Sequence, residues 1–116
     1  MRVLVLEDDA LLAIDLAEMI AEMGHDVIGP FHAARSALEA LDQEECDVAI
    51  LDFNLGEGTS EPVADSLIDR GISFSFLTGH SRSYLPEHLQ AHPILEKPVT
   101  QARLAQALEA LGSARA

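Results

Sequence analysis

A regular alternation of short apolar runs with stripes of helical spacing limits this chain to one kind of architecture. Val3 to Leu6 is a short β-rich run. Leu12, Leu16, Met19, Ile20 and Met23 follow at helical spacing, with Gly24 placed to stop the helix. Asp26 to Gly29 reads as a second strand with Val27 and Ile28 inside, and Ala34, Leu38 and Leu41 mark a second helix. Val48 to Leu51 is the most apolar run in the middle and predicts a central strand. Val63, Leu67 and Ile68 form the next helical stripe, ended by Gly71. Ser73 to Leu77 predicts a fourth strand, Ile94 and Leu95 a brief fifth, and Leu104, Leu108 and Leu111 the last helix. Between Ser81 and His92, Pro86 and sparse apolar positions allow only a short helix. Five strands alternating with helices predict an α/β fold, a doubly wound parallel sheet with helices on both faces, because parallel neighbours need crossover connections.

The 116 residues suit one compact domain, and no linker, repeat or low-complexity segment divides them, so residues 1–116 are expected to form a single unit without an output domain. Hydrophobic residues make up 48%, enough to build a core despite a formal net charge of −13. That charge argues against nucleic acid and against an anionic membrane face, since no lysine or arginine cluster offsets it. Cys46 is the only cysteine, which excludes an internal disulfide and a four-thiolate zinc site. Its place just before an apolar strand predicts a small, unreactive side chain. The start of the chain lacks the apolar region of a signal peptide, and nothing approaches a membrane span of ~18 residues. A reducing cytoplasm is the expected setting.

The polar residues that interrupt this pattern fall at the strand ends. In a parallel α/β sheet, ligands bind outside the carboxyl ends of the strands. The first strand runs directly into Glu7, Asp8 and Asp9. The third ends in Asp52 with Asn54 two residues on, the fourth in Thr78 and Gly79, and the fifth in Lys97 and Pro98. Carboxylates crowded at one edge repel each other until a proton or a cation neutralises them. Oxygen donors suit a hard cation, and Mg²⁺ is the usual one beside a phosphate. Asp52 would be both a ligand and a nucleophile, forming an aspartyl phosphate. Lys97 would offset charge on the transferring group, and the Thr78 hydroxyl could donate to it.

Singly, each of these residues has an ordinary explanation. Asp8 or Asp9 alone is a helix cap, Asp52 a turn residue, Thr78 a packing residue and Lys97 a solvated charge. Turn chemistry does not ask for the whole set on four strands. His88 and His92 stand at a helical metal-ligand spacing, but Pro86 and the polar context favour solvated histidines. No phosphate-binding glycine loop is present.

With these residues in place, the chain resembles the receiver domain of two-component response regulators over essentially its whole length. The matching pieces are Val5-Leu6-Glu7-Asp8-Asp9, Leu51-Asp52, Thr78 and Glu96-Lys97-Pro98. The resemblance implies a flavodoxin-like sheet of order 2-1-3-4-5, and Mg²⁺ held by Glu7, Asp8, Asp52 and the backbone carbonyl of Asn54. It also implies Asp52 as phosphoacceptor, Thr78 and Lys97 as its catalytic partners, and a cis peptide bond before Pro98. Asp52-Phe53-Asn54-Leu55-Gly56 and Phe76-Leu77-Thr78-Gly79-His80 are similar to the subgroup named for the motif Phe-Ala-Thr-Gly-X-Tyr. Its members are mostly single-domain regulators paired with histidine kinases of the HWE or HisKA2 type. Leu77 and Ser81 depart from that motif.

Other departures bear on switching. Gly56 stands where proline is common, which should loosen the loop from Leu55 to Ser60. Ile94 takes the place of a switch aromatic, so the segment from Gly79 to Ala91 is expected to carry the conformational change. Asn54 and His80 occupy positions that tune the lifetime of the aspartyl phosphate. The expected function is a bacterial single-domain regulator in a phosphorelay, phosphorylated by a sensor histidine kinase. It would act as a protein-binding switch or phosphate sink, not as an enzyme with an external substrate. Two alternatives are an aspartate-nucleophile phosphatase, which would want a second acid where Asn54 stands, and a receiver-fold binding module that is not phosphorylated.

Overall fold

The computed structural model describes residues 1–79 and 84–114. Five parallel strands, β1 (Arg2–Leu6), β2 (Asp26–Phe31), β3 (Val48–Asp52), β4 (Ser73–Thr78) and β5 (Ile94–Glu96), form one sheet in the order β2-β1-β3-β4-β5. Four α-helices connect them or close the chain: α1 (Ala10–Glu22), α2 (Ala34–Gln43), α3 (Glu61–Asp69) and α4 (Gln101–Ser113).

The two-residue period of a strand divides the core into two layers. Val3, Val5, Val48, Ile50, Leu77 and Leu95 face α1 and α4, where Leu16, Ile20, Leu104 and Leu108 meet them. Leu4, Leu6, Ala49, Leu51, Phe74 and Phe76 face α2 and α3, against Ala37, Leu41, Val63 and Leu67. Every residue of β3 is buried, as a central strand covered on both sides requires.

Local chemistry sets the helix ends. The Asp9 carboxylate caps α1 by accepting from the backbone N–H groups of Leu11 and Leu12, at 3.0 and 3.2 Å. Thr100 caps α4 by accepting from Arg103 N–H at 3.2 Å. Gly24 and Gly71, with φ of +89° and +70°, take the left-handed conformation that ends a helix without a Cβ clash.

One expectation needs correction. The second strand does not stop at Gly29 but continues to Phe31, whose carbonyl accepts from Glu7 N–H at 2.9 Å. Gly-Pro ordinarily reads as a strand break, yet here the register shifts between Leu4 and Leu6 and pairing resumes. Gly29 has φ +104°, and a Cβ there would lie 2.7 Å from Phe31 N. The loop after β3 closes on itself. Gly56 (φ +77°) sits in a closed turn in which Leu55 N–H donates to Gly58 O at 3.0 Å and Ser60 N–H to Phe53 O at 2.9 Å.

The weak segment after β4 carries a 3₁₀ turn over Glu87–Leu89, with Leu85 and Leu89 buried.

The Asp9 cap yields a test. Asp9→Ala should lower stability to urea by about 1 kcal/mol with an unchanged denaturant slope. An unaltered midpoint would show that this carboxylate does not support α1.

Candidate functional site

Register brings the polar strand ends together. Leu6 pairs with Leu51, Asp52 with Leu77, and Thr78 with Glu96, so β1, β3, β4 and β5 run out at one edge of the sheet. The next backbone bond, Lys97 N–H to Thr78 O at 3.1 Å, extends the ladder and fixes the start of the lysine. Asp8, Asp52, Asn54, Gly56, Thr78, Gly79 and Lys97 line a cleft of about 430 Å³ at this edge.

The carboxylates of Glu7, Asp8 and Asp52 each present an oxygen within 4.8 Å of the others. Glu7 is fully buried, Asp52 and Thr78 nearly so, and Asp8 is exposed. Lys97 Nζ lies 3.0 Å from Glu7 Oε1 and 3.4 Å from Asp52 Oδ2. Its approach to Glu7 is an ion pair without hydrogen-bond alignment, and Oε1 is left with no hydrogen-bond partner. The other oxygen, Oε2, accepts from Asp9 N–H at 3.0 Å.

These contacts push neighbouring carboxyls apart. Burial and then the adjacent Glu7 raise the pKa of Asp52 to about 7, against the opposing pull of Lys97. Burial also works on Asp8, but hydrogen bonding to Glu7 and Asp52 outweighs it and holds Asp8 low. Burial disfavours the Lys97 ammonium, yet Glu7 and Asp52 together raise its pKa. A single lysine therefore does not neutralise the three acids. An all-oxygen donor set with more negative charge than Lys97 offsets fits a hard divalent cation.

The remaining expected residues are placed as follows. Asn54 lines the cleft and its backbone bridges to Thr59. The Lys97–Pro98 peptide is cis. Ile94 pairs with Phe76 and is half-buried against the α2–α3 core, away from the cleft. His80 lies outside the described residues. Asp9, at the same strand end, belongs to the helix cap.

Sequence reading missed two features. His32 places Nδ1 2.8 Å from the Glu7 carbonyl, tying the end of β2 to the acid cluster. No pattern announces that contact, because it depends on β2 continuing past Pro30. Phe53, Phe76 and Phe74 meet edge to face at 5.8 and 5.4 Å, and His92 stacks on Phe74 at 4.5 Å. His92 is therefore a packing residue and not a solvated one, while His88 is half-exposed.

With this geometry established, the comparisons with known proteins converge. Residues 3–109 match the family described as the response regulator receiver domain. The chain belongs to that family, whose members act in two-component signalling. It is 30% identical over 112 residues to the transcriptional regulatory protein PdtaR of Mycobacterium tuberculosis, covering 93% of this chain and 55% of that protein. It is also 30% identical to the phyllosphere-induced regulator PhyR of Methylorubrum extorquens, covering 98% of this chain and 46% of PhyR. The chain thus spans about half the length of the curated relatives it matches. The solution structure of SdrG from Sphingomonas melonis superposes with a TM-score of 0.84 at 35% identity, covering 96% of this chain and 95% of SdrG. SdrG is also known in a BeF₃-activated conformation, which matches with a TM-score of 0.82. Among the described residues no helix is long and apolar enough to cross a membrane.

The raised Asp52 pKa makes a signed prediction for the metal-free protein. The folded carboxyl keeps its proton up to about pH 7, whereas the unfolded one loses it near 3.8. The contribution of Asp52 to stability is therefore greatest at acid pH and is lost as pH rises through about 7. In chelator, Tm should drop between pH 5 and pH 8, and Asp52→Asn should remove most of the drop, at roughly 4 °C per kcal/mol relieved. An Asp52→Asn profile that parallels the wild type across this range would contradict the assignment.

Proposed function

We propose that this receiver accepts a phosphoryl group on Asp52 from the phosphohistidine of a sensor histidine kinase, with Mg²⁺ in the acid pocket. The observation that carries the reading is the meeting of Glu7, Asp8, Asp52, Thr78 and Lys97 around one cleft. An Asp52 oxygen attacks phosphorus, the P–N bond breaks, and the imidazole of the kinase leaves with the electron pair. When bound, Mg²⁺ neutralises the acids and offsets charge on the phosphoryl oxygens. Glu7, Asp8 and Asp52 would hold it, with the Asn54 carbonyl as a further ligand. The Lys97 ammonium, already 3.4 Å from Asp52 Oδ2, attracts the incoming group and stabilises charge on its oxygens. The Thr78 hydroxyl, one residue beyond the position opposite Asp52, donates to a phosphoryl oxygen.

The phosphoryl group ends on the protein's own side chain, so the chain is a switch and a substrate, with slow hydrolysis as its only turnover. Membership of the receiver family supports a switch that acts by protein binding or as a phosphate sink. The Phe76-Leu77-Thr78-Gly79 stretch, similar to the Phe-Ala-Thr-Gly-X-Tyr subgroup, supports a partner kinase of the HWE or HisKA2 type. The net charge of −13 supports protein partners over nucleic acid, and a cytoplasmic setting follows from that role. The segment from Gly79 to Ala91 is the element proposed to rearrange, since Ile94 offers no ring to rotate.

Asp52→Asn should abolish acid-labile phosphate incorporation from a kinase or a small phosphodonor in Mg²⁺, and Lys97→Ala should slow it at least about tenfold. Undiminished labelling of Asp52→Asn would refute the acceptor assignment. Mg²⁺ and the Asp52 proton compete for one carboxylate whose pKa is about 7. Mg²⁺ affinity should therefore fall by about tenfold per pH unit below that value and level off above it. Calorimetric titrations that give one affinity at pH 6 and pH 8 would speak against direct ligation by Asp52.

A further inference from the structure

A second group of metal-ligating side chains lies outside the cleft. Glu61 and Asp65 stand four residues apart on the first turns of α3, which places both carboxylates on one face. Opposite them, His88 projects from the 3₁₀ turn Glu87–Leu89, with Nε2 2.9 Å from Asp65 Oδ1 and 3.6 Å from Glu61 Oε2. One donor atom from each of the three residues lies within 4.8 Å of the others.

Several observations separate this group from a chance surface ion pair. The donors come from two elements anchored to the same core: Leu85 and Leu89, on either side of His88, are buried with Val63, Ala64 and Leu67 of α3. The turn is closed by Leu89 N–H donating to Pro86 O at 2.9 Å and by the Gln90 amide donating to Leu85 O at 3.0 Å. The turn that carries His88 is thus held against α3 by backbone and core contacts, and the half-exposed imidazole hydrogen-bonds Asp65 and faces Glu61. Among the described residues, no lysine or arginine pairs with Glu61 or Asp65. Tetrahedral ligands about 2.1 Å from a metal are about 3.4 Å from each other, and the two measured N···O separations bracket that spacing.

We propose that Glu61, Asp65 and His88 form a second cation site, for a divalent transition metal of the Zn²⁺ class, bridging α3 and the segment after β4. The donor sets of the two sites differ. The cleft offers only oxygen and suits Mg²⁺, whereas imidazole with two carboxylates suits Zn²⁺ and its neighbours. Three protein ligands leave an open position for water. A bound ion would fasten the segment that follows Thr78 to α3 without occupying the phosphorylation cleft. The reading is independent of whether Asp52 is phosphorylated.

The test is a calorimetric titration of the full chain with Zn²⁺ in excess Mg²⁺, which keeps the all-oxygen pocket occupied. The expected result is one saturable Zn²⁺ equivalent, weakened about tenfold or more in His88→Gln, which keeps a polar group but lacks the imidazole. Circular dichroism checks folding, and Asp65→Asn makes the same discrimination should His88→Gln fail to fold. His25→Ala guards against capture at the N-terminal amine, whose nitrogen lies 3.1 Å from His25 Nδ1, and should bind as the wild type does. No saturable binding, or wild-type affinity in the folded His88 or Asp65 variant, overturns the proposal.

Discussion

Repulsion among carboxylates held at the ends of neighbouring strands is the constraint around which the working edge of this protein is organised. The crowding is imposed by backbone register, which ends β1 and β3 side by side and leaves Glu7 and Asp52 no freedom to separate. Two unit charges about 5 Å apart at an effective dielectric of 20 repel by about 3 kcal/mol. That is a large fraction of the ~5–15 kcal/mol by which domains are stable. A proton, a lysine or a metal must therefore answer it. Lys97 does so in part, 3.0 Å from Glu7 and 3.4 Å from Asp52, while burial and then Glu7 still hold the Asp52 pKa raised.

The sheet makes that repulsion tolerable. All five residues of β3 are buried between two apolar layers, so the strand cannot move away to separate its terminal acid from the others. Burial cost at the edge is carried by side chains packed well below it. The His32 contact to the Glu7 carbonyl and the Asp9 cap add local restraint on either side of the acid pair. Stability and chemistry thus oppose each other within a few ångströms, with the core supplying the margin.

On the other side of Thr78, the packing is aromatic. Phe53 follows Asp52 directly and touches Phe76, two residues before Thr78, and Phe76 touches Phe74, on which His92 stacks. Rings therefore run from the cleft along β4 to the far end of the sheet. Ile94, pairing with Phe76, fills a place in this layer with an aliphatic side chain. Leu85 and Leu89 tie the segment after β4, with its 3₁₀ turn, to that layer.

The sequence by itself determined the alternation of strands and helices, the two-faced burial of β1 and β3, and the residue types at each strand end. These are local matters: apolar spacing follows the period of the element, and Asp9, Gly24 and Gly71 act on bonds within a few residues of themselves. It also pointed to Glu7, Asp8, Asp52, Thr78 and Lys97 as one set, because a parallel sheet collects its strand ends on one side. Only the tertiary structure decided that His32 reaches the Glu7 carbonyl, that β2 continues through Gly29 and Pro30, and that His88 meets Glu61 and Asp65. Those outcomes depend on which backbone groups of distant strands and turns come within hydrogen-bonding reach. Such distances belong to the packed chain and to no stretch of it read alone.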